Sequence, residues 1–219
     1  MSIEDRIVVT GGGSSKSLAA RFGLRDKTCV VTGGTRGLGK AMCDAFGEMG
    51  AKHVITCSRK GWSPQQKSDD DQKFGWTHGE NTEFTHVERD VSKERDRDAF
   101  VDDIKRKCDG RVDVFVSNVG YNIRKTTAAY TREEYKALMG TNLEASFDIV
   151  RVAYKKGVIG KGTSVIFNSS VAGLTSIQTG ALYAMSKAAL NQLTKSLACE
   201  WGKEGIRVNA IAPWYINTD

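Results

Sequence analysis

Thr28-Cys29-Val30-Val31-Thr32-Gly33-Gly34-Thr35-Arg36-Gly37-Leu38-Gly39-Lys40-Ala41-Met42 is the stretch from which the fold is read. A β-branched run ends on two glycines, and beyond Gly39 an amphipathic pattern begins. Met42, Ala45, Phe46 and Met49 recur at helical spacing, and Gly50 stands where a C-terminal cap would. Strand, glycine turn and helix in this order build an anion site. Glycines permit a tight turn and close backbone approach, while the first N–H groups and the positive dipole end of the helix meet a pyrophosphate. The spacing Gly33-x3-Gly37-x-Gly39 is not the Gly-x-Gly-x-x-Gly fingerprint usual for dinucleotides.

Working outward, further short apolar runs read as strands: His53 to Cys57, Glu83 to Val87, Val112 to Ser117, Ser164 to Asn168 and Arg207 to Ile211, with the first at Thr28 to Thr32. Near-continuous apolarity in Cys29-Val30-Val31 and Val114-Phe115-Val116 suits strands covered on both faces. Helical patterns lie between them. Thr131 and Glu134 form a capping box, after which Tyr135, Leu138, Met139, Phe147, Val150 and Tyr154 are expected to continue one apolar face. The alternation predicts an α/β fold, a Rossmann-type doubly wound parallel sheet with helices on both faces. Residues 60–82 are polar, carry Pro64 and an acidic triplet, and are expected to form a loop or a very short helix. Residues 1–23 are read as a flexible N-terminal extension and 24–219 as the domain. Ile7-Val8-Val9-Thr10-Gly11-Gly12-Gly13 imitates the later turn, but Ser15 and Ser17 stand where a second copy would need glycines.

Composition narrows the functional classes. The chain has 219 residues with 23 Gly and only 2 Pro, too apolar and too long for a disordered or staple-dependent class. No apolar run approaches the roughly 18 residues of a membrane span, and no signal-peptide order opens the chain, so a cytoplasmic location and no membrane partner are expected. The five cysteines (Cys29, Cys43, Cys57, Cys108, Cys199) are spread without a Cys-x-x-Cys, and His53, His78 and His86 complete no ligand set with them. Reduced thiols and no metal site follow. The net charge of +6 comes from scattered Lys and Arg with no basic stripe, so no nucleic acid is expected.

Cofactor choice is legible after the second strand. An acid there would bind a free ribose 2′-hydroxyl, whereas this chain has Thr56-Cys57-Ser58-Arg59, and Arg36 in the turn adds a second cation. Two guanidiniums suit a 2′-phosphate, which favours NADP (NADPH). Tyr183 and Lys187, four residues apart, share one helix face. An ammonium beside a phenol stabilises phenolate, so the pair suits proton transfer. Ser170 lies just past the fifth strand, at the strand ends where such sheets bind ligands.

The Thr-Gly-x-x-x-Gly-x-Gly turn, Asp90-Val91, Ser117-Asn118-Val119-Gly120, Asn142, Ser170, Tyr183-x-x-x-Lys187 and Arg207-Val208-Asn209-Ala210-Ile211-Ala212-Pro213 with Thr218 follow one another in fixed order. In this the chain resembles the short-chain dehydrogenase/reductase family across residues 24–219. Gly120-Tyr121-Asn122-Ile123-Arg124-Lys125 and Ala212-Pro213-Trp214-Tyr215-Ile216-Asn217-Thr218 are most similar to its tropinone reductase-like branch. The resemblance implies a catalytic set of Asn142, Ser170, Tyr183 and Lys187. It implies cofactor contacts from Gly33, Thr35, Arg36, Gly37, Leu38, Gly39, Ser58, Arg59, Asp90, Val91, Asn118, Gly120, Tyr183, Lys187, Pro213, Ile216 and Thr218, with Asp90-Val91 similar to the family's adenine-contacting pair.

In these implied roles Tyr183 gives a proton to a carbonyl oxygen, Ser170 polarises that carbonyl, and Lys187 tunes Tyr183 and holds the nicotinamide ribose. Asn142 keeps a water that links Lys187 to solvent. The implied activity is NADPH-dependent reduction of a ketone to a secondary alcohol, with a small carbonyl or alcohol as substrate and a homodimer or homotetramer as assembly. A 3-oxoacyl-carrier-protein reductase shares every motif, and an inactive nucleotide-binding subunit is the third reading. Three departures stand out: Ser117 and Val119 replace Asn and Ala of the family's Asn-Asn-Ala-Gly, and Trp214 replaces the glycine after the proline. Family members continue beyond the position of Asp219 into a substrate lid and a final edge strand, which are expected to be missing here.

Overall fold

The run Thr28–Thr32 forms β1, flanked by β2 (His53–Ser58) and β4 (Val114–Ser117). β3 (Glu83–Glu88), β5 (Ser164–Asn168) and β6 (Arg207–Ile211) complete the sheet in the computed structural model, which describes residues 22–60, 82–108 and 110–218. All neighbours are parallel, in the order β3-β2-β1-β4-β5-β6. The expected fold class is therefore the observed one. The chain winds outward from β1 to β3, then returns to start again at β4. The crevice at this reversal, at the carboxyl ends of β1 and β4, is where such sheets bind ligands.

The helices are α1 (Gly37–Glu48), α2 (Glu94–Lys107), α3 (Arg132–Met139), α4 (Ala145–Lys155) and α5 (Ala181–Trp201). Strand alternation divides the core between two layers. Val30, Ile55, Phe115, Val165 and Phe167 face α2, α4 and α5, whereas Cys29, Val31, Val54 and Val116 face Cys43 of α1. Each of these side chains is essentially unexposed, and burial of one contributes about 1.5–3 kcal/mol. Burial also pushes the Cys29, Cys43 and Cys57 thiols up to about 12, so they are core side chains and not nucleophiles.

One strand starts later than expected. Val112 is buried as its sequence suggests, but its N–H goes to the Val158 carbonyl, and β4 begins at Val114. The apolar face expected from Tyr135 to Tyr154 is also broken. The capping box on α3 is present, with Glu134 N–H on Thr131 Oγ1 at 3.1 Å and Thr131 N–H on Glu134 Oε2 at 3.0 Å. Between α3 and α4, however, Gly140–Glu144 form a π-helical turn. Its wider turn shifts the phase of the residues that follow. Leu138 and Val150 are buried, while Tyr135 and Phe147 are left exposed beside a groove.

β6 is the edge strand, pairing with β5 alone among the described residues. The expected extension lies outside the described residues at positions 1–21, as does the expected loop at 61–81. Among the described residues no group of His, Cys, Asp and Glu could hold a metal, and no helix is long and apolar enough to cross a membrane.

Candidate active site

The glycine turn is pinned from below. Gly33 N–H donates to Cys57 O at 2.9 Å and Gly34 N–H to Thr56 Oγ1 at 2.8 Å, drawing the turn over β2. Gly33 and Gly37 have positive φ, at 73° and 54°. A Cβ on Gly39 would sit 2.2 Å from the Gly33 carbonyl oxygen, and nothing there can yield. Above Gly37 the space is open as far as Thr218 Oγ1, 3.8 Å from where a Cβ would be. α1 has no side-chain N-cap among the described residues and no acid in its first turn, so its leading N–H groups are left for an anion in this space. The turn thus fits a pyrophosphate. Thr35 and Leu38 flank it half-buried.

Arg36, at the N-cap, and Arg59, just past β2, are exposed, and neither makes an ion pair among the described residues. Ser58 Oγ donates to Lys60 O at 2.9 Å and lies 2.8 Å from His86 Nε2. Arg89 N–H on Ser58 O brings the next turn alongside. There the Asp90 carboxylate accepts from Ser92 N–H at 3.1 Å and Ser92 Oγ at 2.7 Å, and the Val91 side chain enters the core. Glycine turn, Ser58-Arg59 and Asp90-Val91 therefore form one rim along the carboxyl ends of β1, β2 and β3.

Asn118 ties three strand ends together. Its Nδ2 donates to Thr32 O at 2.9 Å, its Oδ1 accepts from Asn168 Nδ2 at 2.7 Å, and its N–H goes to Thr32 Oγ1. Its side chain is engaged in bracing β1, β4 and β5. Gly120 then passes beside Lys187 and Asn142. A Cβ there would lie 3.3 Å from Lys187 Nζ and 3.4 Å from Asn142 Oδ1. The side chain of Asn142, on the π-turn, grips the backbone of Tyr121: Oδ1 accepts from its N–H at 3.0 Å, and Nδ2 donates to its carbonyl at 2.8 Å. Nδ2 also reaches Ser186 Oγ at 3.3 Å, and Ser186 Oγ donates to Tyr183 O at 2.7 Å. The Asn142 side chain thus links the loop after β4 to α5.

Lys187 is 3% exposed, and its Nζ donates to Asn168 O at 2.6 Å. It has no carboxylate partner among the described residues. Burial alone pulls the ammonium down to about 8. Its Nζ lies 5.6 Å from the Tyr183 ring centroid, the shared helix face at work. Ser170 opens a short 3₁₀ turn after β5, where its Oγ accepts from Ala172 N–H at 3.1 Å. No acceptor takes the Ser170 hydroxyl proton among the described residues, so it is available to donate. The turn packs on α5 through Gly173, where a Cβ would come within 2.6–2.8 Å of the Lys187 carbonyl and the Ala188 nitrogen. Ser169 Oγ on Lys187 O at 3.0 Å makes the same junction.

Gly173→Ala is expected to force the Ser170 turn off α5, lowering Tm by several degrees, since overpacking costs about 1–3 kcal/mol. Calorimetry checks this; an unchanged Tm would show that the junction yields.

The final described segment closes the crevice from the other side. Val171 N–H on Pro213 O at 3.1 Å and Ser169 N–H on Ile211 O at 2.9 Å fix its start, and its end brings Thr218 across the open space above Gly37. Ile216, Trp214 and Tyr215 are exposed, and the Arg124 guanidinium lies 5.7 Å over the Tyr215 ring. Sequence reasoning missed Gly173, Ser169, Ser186 and Tyr121. Only their nearness to Ser170, Lys187 and Gly120 in the chain could have marked them.

Comparison with known proteins gives concordant results. A family model described as short chain dehydrogenase matches residues 27–219. A tropinone reductase homolog from Datura stramonium is 38% identical over 198 residues, 90% of this chain and 71% of the relative. A tropinone reductase homolog from Arabidopsis thaliana is 38% identical over 90% of this chain and 72% of the relative. Among solved structures, a short chain dehydrogenase from Burkholderia cenocepacia J2315 in complex with NADP aligns with TM-score 0.76. It is 25% identical and covers 90% of this chain and 77% of its own. The Pseudomonas aeruginosa RhlG/NADP active-site complex aligns with TM-score 0.75 at 26% identity, covering 90% and 75%.

Proposed function

Because the chain belongs to the short-chain dehydrogenase family, in its tropinone reductase-like branch, we propose that it is an NADPH-dependent carbonyl reductase making a secondary alcohol from a ketone. The observation that carries this reading is the buried Lys187 ammonium, without a carboxylate partner among the described residues, 5.6 Å from the Tyr183 ring, at the crevice where the Ser170 hydroxyl meets no acceptor among the described residues. When bound, the nicotinamide supplies hydride to the carbonyl carbon. Tyr183 supplies the proton to the carbonyl oxygen, and the Ser170 hydroxyl donates a hydrogen bond to that oxygen as its charge grows. Lys187 keeps its Nζ 5.6 Å from the Tyr183 ring centroid and holds ribose hydroxyls. Asn142 keeps the Tyr121 loop and α5 in register, with a water at its backbone linking Lys187 to solvent. Residues 24–219 serve as the catalytic domain. Assay of NADPH oxidation with cyclic ketones and 3-oxoacyl thioesters tests the activity. No turnover with either class would overturn it.

The choice of NADPH rests on Arg36 and Arg59, two exposed cations at one rim, on the absence of an acid from Thr56-Cys57-Ser58-Arg59, and on the NADP complexes among the structural neighbours. Each charge-assisted contact is worth about 1.5–3 kcal/mol. Arg36→Ala and Arg59→Ala are each expected to raise the KM for NADPH at least about tenfold and to leave that for NADH unchanged. Equal losses with both cofactors would refute the assignment.

Assembly as a homodimer or homotetramer is supported by the groove lined by Tyr135, Met139, Leu143, Phe147 and Leu193, an apolar face that the π-turn leaves uncovered. Light scattering is expected to give at least twice the chain mass, and Phe147→Glu to reduce it; a wild-type monomer would defeat the reading. A cytoplasmic location is supported by the five free thiols.

A further inference from the structure

We propose that Arg97 is a positioning residue for the adenine end of the cofactor, acting through the turn at residues 90–92. Arg97 is 3% exposed, on the first turns of α2, and every nitrogen of its guanidinium is in use. Nε donates to Asp148 Oδ2 at 2.7 Å, and Nη2 to Glu144 Oε1 at 3.2 Å. Nη1 donates to the carbonyls of Val91 at 3.1 Å and Ser92 at 3.4 Å. Two partners are therefore carboxylates at the start of α4, and two are backbone oxygens of the turn that follows β3.

Burying a guanidinium costs several kcal/mol, which paired carboxylates offset only in good geometry. Packing of α2 on α4 does not call for it, because Phe100, Val101 and Ile104 already enter the core cluster that holds Ile149, Val152 and Ala153. What the ion cluster adds is direction. A planar fork with fixed N–H vectors sets the Val91 and Ser92 carbonyls relative to α4, which a single ammonium cannot do. Asp148 is itself steadied by Arg151, whose Nε and Nη2 lie 3.0 and 2.5 Å from Oδ1. Burial raises the Asp148 carboxyl, but the hydrogen bonds from Arg151 and Arg97 outweigh this and hold it below the usual carboxylate range. The other side of the turn is locked by Asp90 N–H on Asp96 Oδ2 at 3.1 Å and by the Asp90 carboxylate on Ser92. The turn abuts Ser58 through Arg89 N–H, so its placement sets the width of the rim between Asp90-Val91 and Arg59.

This inference rests on the NADPH reading above. The test uses the full chain and its variants Arg97→Lys, Arg97→Gln and Glu144→Gln, with Tm measured for each. Fluorescence titration gives the NADPH affinity, and competition gives that of 2′,5′-ADP, a probe of the adenine half alone. For Arg97→Lys the expectation is an about tenfold rise in Kd for both ligands, with kcat at saturating NADPH within twofold of wild type. Arg97→Gln is expected to lose more. Glu144→Gln changes a side chain with 66% exposure and keeps the fold whatever happens at Arg97; it is expected to raise both Kd values two- to threefold. Unchanged 2′,5′-ADP affinity in a folded Arg97 variant, or in Glu144→Gln if neither Arg97 variant folds, overturns the inference. So does a loss of kcat without a loss of affinity. A wild-type chain that binds neither NADPH nor 2′,5′-ADP overturns the cofactor reading and this inference with it. A wild-type chain that binds both, with variants that bind equally well, overturns this inference alone.

Discussion

Tyr183→Phe is expected to lower kcat for ketone reduction by about 10³-fold, within the range that a positioned general acid contributes, and to leave the NADPH Kd within twofold. The substitution removes one oxygen from a half-buried ring whose place on α5 is set by its neighbours. Leu182 and Ser186 are buried on either side, and the Tyr183 carbonyl stays held by Ser186 Oγ at 2.7 Å. The ring keeps its position under the Lys187 ammonium, so cofactor binding and fold persist while the proton donor is gone. Stopped-flow reduction of a ketone substrate, alongside a fluorescence titration of NADPH, measures both quantities. A variant with a tenth or more of wild-type kcat would remove Tyr183 from the chemistry and point to another donor.

Lys187→Met is expected to abolish measurable reduction and, at pH 7, to make the protein more stable. Burial pulls Lys187 from its ordinary 10.5 to about 8, a difference worth about 3 kcal/mol against the charged form. Because the folded pKa lies below the unfolded one, that cost is fully present below pH 8. Between about 8 and 10.5 the folded chain has released the proton while the unfolded chain still binds it, so stability rises with pH through this window. Methionine fills the same space without the charge and gives up one charge-assisted hydrogen bond, to Asn168 O, of about 1.5–2 kcal/mol. A net gain of about 1–2 kcal/mol at pH 7 follows, or a Tm higher by several degrees, shrinking toward pH 10.5. Calorimetry at pH 7 and pH 10 is the check. A variant less stable than wild type at pH 7 would mean that Lys187 is held by more than the Asn168 carbonyl. A gain in stability with loss of activity marks a group kept for its chemistry at the expense of the fold.

The parallel sheet was legible because its determinants are local. Val30 and Val31 alternate between two buried layers, and no reading of Thr28 to Gly39 other than strand, turn and helix satisfies both the apolar period and the glycines. The Thr131–Glu134 capping box was legible for the same reason, since both partners lie within one helical turn. The face from Tyr135 to Tyr154 was misjudged because a π-turn leaves no local trace. It carries Asn142, whose side chain is tied to Tyr121, twenty-one residues away, and which residues of α3 and α4 are buried is set by what packs on them from elsewhere in the chain.

Residue types at the site were likewise readable, but their partners were not. Tyr183 and Lys187 share a helix face by arithmetic alone, and the two arginines near the glycine turn can be read off the chain. That Lys187 meets no carboxylate among the described residues and hangs from Asn168, and that Gly173 must be glycine, follow from β5 lying against α5, while Asn118 braces three strands because β1, β4 and β5 end side by side. The pairing of Arg97 with Asp148 spans fifty-one residues and has no periodicity to announce it.

By itself, then, the sequence determined the layer order of the fold, the glycine turn and the kinds of side chain gathered at the carboxyl ends of the strands, because each follows from contacts a few residues apart. The tertiary structure alone decided which of those side chains carry a charge with no ion pair among the described residues, which are engaged in bracing, and where the rim of the crevice lies. Desolvation and hydrogen-bond geometry depend on what packs against a residue from elsewhere in the chain, and no local pattern carries that information.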